Sequence, residues 1–191
     1  MEEPGLDAAL DGARGGDDES FAVLFRALQP PLLRYLRVVA GSYAEDLASE
    51  TWGRVARDLV RFDGDADRFR RWLFTIARHR ALDWRRARGR SPAGRPLDGL
   101  GDPAAADDPA AETVELLSAD AARRLVARLP RDEAEVVVLL AVSGLDPATV
   151  GRIVGRRPGA VTQLGRRGLR RLAALLDDDR APATGSGAVT P

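Results

Sequence analysis

Arginine is the residue type with the most to do in this chain. The segment 69–90, "FRRWLFTIARHRALDWRRARGR", carries Arg70, Arg71, Arg78, Arg80, Arg85, Arg86, Arg88 and Arg90 against a single acid, Asp83. A second block, residues 152–171, carries Arg152, Arg156, Arg157, Arg166, Arg167, Arg170 and Arg171 with no acid at all. A guanidinium is permanently charged and offers a planar fork of donors that fits phosphates and guanine edges. Its chemistry is recognition of a polyanion, not bond making. The usual catalytic types are sparse. There is one histidine, His79, and no cysteine, no HExxH pair and no glycine-rich phosphate loop after a strand. No catalytic residue, metal ligand or cofactor is therefore assigned, and the chain is expected not to be an enzyme.

The formal net charge of zero conceals these blocks, because residues 98–120 offset them with Asp98, Asp102, Asp107, Asp108, Glu112, Glu115 and Asp120. All 29 basic residues are arginine, which a GC-rich coding bias explains as readily as phosphate binding does. Position, not residue type alone, must identify a contact. At 45% hydrophobic and 30% charged residues the composition is that of a soluble globular protein. The longest apolar run, Val136 to Val142, is far too short to span a bilayer. The opening "MEEPGLDAAL" is acidic where a signal peptide would be basic. The expectation is a cytoplasmic protein without membrane insertion.

The elements that must carry the arginines read as helices. Residues 1–17, rich in Gly and Asp, are expected to be disordered. "SFAVLFRAL" places Phe21, Leu24, Phe25 and Leu28 on one face with Ser20 as N-cap. Pro30 and Pro31 are expected to kink or restart that helix, and Gly41 to stop it. A second helix, about 43–60, aligns Leu47, Thr51, Val55 and Leu59 in a core stripe. The basic helix follows the loop "RFDGDADR", and its Phe69, Trp72, Leu73 and Ile76 are assigned to the core. His79, Asp83 and Arg86 form a separate polar face. From Arg90 the periodicity ends in a Pro-, Gly- and acid-rich stretch, 91–117, which reads as a flexible linker. Helical pattern returns over 118–176, and 177–191 reads as a disordered tail. The expected fold is all-α: two small helical domains, 18–90 and 118–176, joined by an acidic linker.

The second domain contains a helix-turn-helix pattern. Val150, Ile153 and Val154 face inward on its first helix, Gly151 permits a close crossing and Gly155 makes the turn. Pro158 suits the first position of the next helix. With Val161, Leu164, Gly168, Leu172 and Leu175 inside, Thr162, Gln163, Arg166, Arg167 and Arg170 share the outer face, at steps of four. Arg157 sits just before that helix, where a cation opposes the helix dipole unless a phosphate joins it. Thr and Gln beside arginines on an outer helix face suit a major groove. The alternative is a solvated face on a plain helical hairpin.

Taken together, "YAEDLASETW", "FRRWLFTIARHRALDWRR" and "LVARLPRDEAEVVVLLAVSGLDPATVGRIVGRRPGAVTQLGRRGLRRLAALL" resemble, in order and spacing, the extracytoplasmic-function sigma factors of bacterial RNA polymerase. The resemblance covers about 18–90 and 118–176. It implies a protein that binds core polymerase and directs promoter-specific initiation. The first motif resembles the helix that grips the polymerase clamp, and assigns Asp46, Leu47 and Glu50 to that contact. The second resembles the segment that opens and reads the minus-ten element. It assigns Asp65 and Arg68, in a loop that would receive a flipped base, together with Arg71, Arg78, His79, Asp83 and Arg86. The third resembles the minus-thirty-five reader and assigns Arg157, Thr162, Gln163, Arg166, Arg167 and Arg170. The family also implies an anti-sigma partner. The sequence departs from it in having His79 where Asn is favoured, and Thr162–Gln163–Leu164 in place of a common Lys-Ser-Arg run.

The linker has a reach to match. Residues 91–117 would span about 90 Å extended and about 30 Å as a coil, against roughly 70 Å between elements two DNA turns apart. Two other functional classes stay open on the sequence. A helix-turn-helix regulator would explain the second domain but not the first. A sigma-like interaction protein without initiation activity would explain both.

Overall fold

The computed structural model describes residues 5–89 and 121–180, and among them every regular element is helical. In chain order these are α1 (Leu6–Arg14), α2 (Asp18–Ala40), α3 (Ala44–Asp58), α4 (Ala66–Gly89), α5 (121–127), α6 (Arg131–Val142), α7 (Pro147–Val154) and α8 (Pro158–Arg180). Short 3-10 turns at Gly41–Tyr43 and Leu59–Arg61 join α2 to α3 and end α3. The expected linker, 91–117, lies outside the described residues, as does 181–191 of the expected disordered tail, whereas residues 177–180 of that tail continue α8 to Arg180. The "VVVLL" run, β-prone by type, is buried helix in α6.

Two expectations at the N-terminus need correction. Residues 1–17 were expected to be disordered, yet Leu6–Arg14 form α1, which buries Leu6, Ala9, Leu10 and Ala13. Their spacing makes one apolar face, and α1 lays it along α2. Gly12 permits the approach, because a Cβ there would stand 2.3 Å from the Ser20 hydroxyl. The N-cap of α2 is Asp17, not Ser20. The Asp17 carboxylate accepts the Ser20 N–H at 2.9 Å, so Ser20 is one of the orphan donors being capped. Bonds from the Ser20 hydroxyl and amide hold Asp17 below its ordinary pKa, so this cap is intact at neutral pH and weakens only in acid.

Pro30 and Pro31 do not divide α2, which runs unbroken through both. Each proline removes a helix hydrogen bond at a cost of about 3 kcal/mol. Against that, α2 buries Leu24, Leu28, Leu32, Tyr35 and Leu36 on one face. Full burial of such a side chain contributes about 1.5–3 kcal/mol. Tertiary burial thus outweighs local propensity. Leu47, Thr51, Val55 and Leu59 form the expected buried stripe of α3, with the Thr51 hydroxyl donated to the Leu47 carbonyl at 2.6 Å. In α4, Phe69, Leu73, Phe74, Ala77 and Ala81 are buried, while Trp72 and Ile76 are half-buried.

The expected second unit packs directly on the first. α6 lies against α2, and α7 against α4. Val38 of α2 packs against the small cluster of Leu129, Ala134 and Val137, and one continuous hydrophobic cluster runs from Leu6 to Leu164. Two units of this size gain apolar burial by sharing a core.

Helix α8 explains its own glycines. A Cβ on Gly168 would stand 2.5 Å from Val137 Cγ2, and one on Gly165 would stand 3.1 Å from Leu140. These positions let α8 sit close on α6. A Cβ on Gly159 would meet nothing within 4 Å. Opposite outcomes are expected from the same substitution. Gly159→Ala should stabilise the fold by about 0.5–1 kcal/mol through helix propensity. Gly168→Ala should destabilise it by about 1 kcal/mol or more, since overpacking costs about 1–3 kcal/mol. Chemical denaturation of the two variants checks both signs.

Candidate polymerase and nucleic-acid interfaces

On α3, Asp46 and Glu50 are exposed and one turn apart. Leu47 is not part of that surface. It is 4% exposed and belongs to the buried stripe, so the expected contact role for it does not fit this fold. Glu50 Oε2 lies 3.9 Å from Arg80 Nε of α4, and Glu45 accepts from Arg37 at 3.2 Å. Beside the acidic pair, α2 and α3 open a cavity of about 420 Å³ lined by Phe21, Phe25, Gln29, Glu45, Ser49 and Trp52, among others. Trp52 donates its indole N–H to Gln29 Oε1 at 2.7 Å, and the Phe21 and Phe25 rings pack at 5.8 and 5.1 Å from it. Phe25 is 37% exposed, although the sequence placed it on the core face with Leu24 and Leu28, which are buried. Its step of one residue from Leu24 rotates it out of that face.

The second surface begins at the loop before α4. The Asp65 carboxylate accepts the Arg68 N–H at 2.8 Å and caps the helix, while Asp63 and Arg68 are exposed. Asp65, Arg68 and the half-buried Arg71 line a cavity of about 340 Å³ whose other wall is Gly144, Asp146, Thr149 and Arg152 at the start of the helix-turn-helix. Further along α4, His79, Asp83 and Arg86 are exposed, and Arg86 donates to Asp83 at 3.1 Å. Their aromatic neighbour is brought there only by tertiary packing. Tyr43, from the turn after α2, packs 4.8 Å from Trp84, and Arg88 lies over both rings at 5.0 and 5.4 Å. An arginine stacked on two aromatics beside a polar helix face resembles the platforms on which bases stack.

Arg78 breaks from this group. Its side chain is 19% exposed and donates through Nε to Glu135 Oε1 of α6 at 2.8 Å. The same oxygen accepts the Tyr35 hydroxyl at 3.1 Å. Glu135 is 14% exposed, and Tyr35 is fully buried against Phe74. Burial first, then the Glu135 charge, pushes the Tyr35 hydroxyl well above its usual pKa, so it remains a donor. In this arrangement Arg78 is satisfied by a carboxylate and does not face solvent as a phosphate ligand must.

The third surface is the helix-turn-helix. The Asp146 carboxylate caps α7 by accepting the Ala148 and Thr149 N–H groups at 2.8 and 3.0 Å. Gly155 ends α7 in the left-handed conformation, φ 71°. Gly151 is required because a Cβ there would stand 2.6 Å from the Arg156 carbonyl. Pro158 opens α8 as expected. Gln163, Arg166 and Arg170 are exposed on one face, with Arg157 exposed just ahead of them. Thr162 is half-buried, and its hydroxyl is donated to the Pro158 carbonyl at 3.1 Å. Arg167 leans toward α6, its Nε 3.5 Å from Glu133 Oε1, and Arg171 Nε stands 3.0 Å from the other oxygen. Glu133 is only 7% exposed, so Arg167 has a structural partner as well as an outward position.

Known proteins resemble this chain over most of its length. The Sigma-70 region 2 family model matches residues 24–91. The chain is 33% identical over 182 residues to the ECF RNA polymerase sigma factor ShbA of Streptomyces griseus, covering 90% of this chain and 95% of that protein. It is 33% identical over 175 residues to the ECF RNA polymerase sigma factor BldN of Streptomyces coelicolor, covering 89% of this chain and 65% of that one. Its fold is similar to that of the sigma factor RpoE of Bartonella quintana, solved in complex with the anti-sigma factor NepR. That match has a TM-score of 0.62 and 24% identity, and covers 85% of this chain and 99% of that one.

Proposed function

Because the chain belongs to the extracytoplasmic-function sigma factors, and so directs transcription initiation by bacterial RNA polymerase, we propose that it does this through the three surfaces above. Asp46 and Glu50 meet a basic surface of the core enzyme's clamp. The loop before α4, with Asp65, Arg68 and Arg71, and the face of His79, Asp83 and Arg86 take the minus-ten element as it opens. Arg157, Thr162, Gln163, Arg166, Arg167 and Arg170 take the minus-thirty-five element. The observation that carries the reading is the placement of arginine-bearing faces on α4 and α8, one in each unit. Two domains are part of the same proposal, with the expected limits 18–90 and 118–176 widened to take in α1, which packs on α2, and the end of α8 at Arg180.

No bond chemistry by this protein is needed. Unstacking a base costs a few kcal/mol, which a shaped pocket can offset. The protein acts in the cytoplasm with the polymerase. Among the described residues no helix is long and apolar enough to cross a membrane. A partner of the anti-sigma class is part of the proposal, supported by the complex in which the Bartonella relative was solved. A plain helix-turn-helix regulator would leave the match over residues 24–91 without a purpose.

The packing of α6 on α2 and of α7 on α4 bears on how these surfaces are used. Two elements two DNA turns apart are separated by roughly 70 Å. The units must therefore part before both elements are engaged, and parting frees Arg78 from Glu135.

The test is reconstituted initiation with core polymerase, mapping transcript starts on genomic DNA. Wild-type chain should produce specific starts that core polymerase alone does not. Neutralising the acidic pair, Asp46→Asn with Glu50→Gln, should weaken association with core by about tenfold, mostly through a slower on-rate that salt suppresses in the wild type. Equal affinity for both chains at low salt would remove Asp46 and Glu50 from the interface. Absence of specific starts would remove the function as a whole.

A further inference from the structure

The geometry points to Asp7 and Arg14, on α1, as positioning residues for the loop that reads the minus-ten element. The inference rests on the role proposed for that loop, residues 62–65, and concerns a helix to which no role has been assigned. Asp7 Oδ1 accepts the N–H of Ala66, the first residue of α4, at 2.7 Å. Arg14 donates through Nη2 to the carbonyl of Gly64, and its guanidinium lies 5.3 Å over the Phe62 ring. Nη1 of the same group donates to Asp11 at 2.9 Å, which fixes the guanidinium from its own helix. Phe62 is in turn stacked on Trp72 at 4.9 Å.

The loop is thus fastened at residues 62, 64 and 66, while Asp63 and Asp65 between them stay exposed. That alternation leaves the outward side free to meet a base and holds the inward side still. Gly64 adopts φ 150°, and a Cβ there would stand 2.9 Å from the Arg68 side chain, so the loop follows a path that few residue types allow. A loop already ordered loses less entropy when it binds than one ordered by its ligand. The apolar face of α1, buried independently of Asp7 and Arg14, makes the helix a rigid mount for both side chains. Asp7 and Arg14 therefore act on promoter opening through the loop and without touching DNA.

The experiment compares wild type, Asp7→Ala with Arg14→Met, and Asp7→Asn alone. The last retains an oxygen that accepts the Ala66 N–H. Hydrogen exchange on each free chain reads the order of residues 62–66. Reconstituted polymerase then binds a forked promoter whose single-stranded minus-ten bases are varied one at a time. The double variant should exchange faster across the loop and lose about tenfold in affinity for the preferred base at the flipped position. Its affinity for minus-thirty-five duplex and its unfolding temperature should hold, and Asp7→Asn should behave as wild type. Unchanged exchange, or faster exchange with base preference intact, would overturn the inference. If wild type itself showed no base preference, the loop's proposed role would fail and the inference with it. Faster exchange in the variant would then mark the fastening as purely structural.

Discussion

Replacing Arg166 and Arg170 together by alanine should reduce affinity for minus-thirty-five duplex by roughly 30- to 1,000-fold, at about 1–2 kcal/mol per lost contact. Both side chains are exposed on the outer face of α8, so the change removes DNA contacts without opening the core. The slope of log affinity against log salt should become shallower by about 0.9 for each of the two that meets a phosphate. An arginine that instead reads a guanine should leave the slope nearly unchanged and relax preference at one base pair. The salt series therefore separates positioning from readout. Arg167 is best left out of this variant. It stands 3.5 Å from the nearly buried Glu133, and its removal would weaken the ion pairing of that carboxylate. Arg167→Ala should lower the unfolding midpoint as well as DNA affinity, whereas the Arg166 and Arg170 variant should lower only affinity. Titration of labelled duplex, with denaturation of the same samples, checks both statements.

Glu135→Gln should open the free protein. Glu135 is the single acceptor for both Tyr35, from α2, and Arg78, from α4. The amide keeps the shape and an acceptor oxygen but removes the charge that pairs with Arg78. Breaking a buried ion pair by removing one partner costs about 3–5 kcal/mol, and solvent access reduces this for groups 14% and 19% exposed. Even about 1.4 kcal/mol shifts a two-state equilibrium tenfold. Dyes on α4 and α8 should report a longer mean separation for the variant than for wild type. Its free form should bind DNA more tightly because Arg78 is released, while its polymerase-bound form should initiate as wild type does. An unchanged separation would mean that the apolar packing of α6 on α2 holds the units together without help from the ion pair.

The helix-turn-helix was readable in detail because its determinants are local. Gly155 for the left-handed turn, Pro158 for the helix start and the inward Val161 and Leu164 all act within a few residues of one another. The α3 stripe was readable for the same reason, and it already placed Leu47 in the core beside Thr51 and Val55. The clamp contact that the family motif implies for Leu47 conflicts with that periodicity, and the periodicity prevails. Helix α1 was missed because the Gly and Asp residues in and around it mask five Leu and Ala residues among its nine. The spacing of Leu6, Ala9, Leu10 and Ala13 was the available signal. Arg78 lay beyond any local reading. Its partner Glu135 is 57 residues away, and only the docking of α6 decides that Arg78 meets a carboxylate in this state. The same holds for Tyr43 against Trp84, and for the exposed Phe25 beside Trp52.

The most direct measurement is site-specific photocrosslinking from residues 79 and 163 in a complex of this chain, core polymerase and a promoter it initiates from. The account requires that residue 79 crosslink at the minus-ten element and residue 163 at the minus-thirty-five element, both on one DNA molecule. It is contradicted if the chain fails to join core polymerase at modest ionic strength, or if it joins and both positions crosslink only to protein.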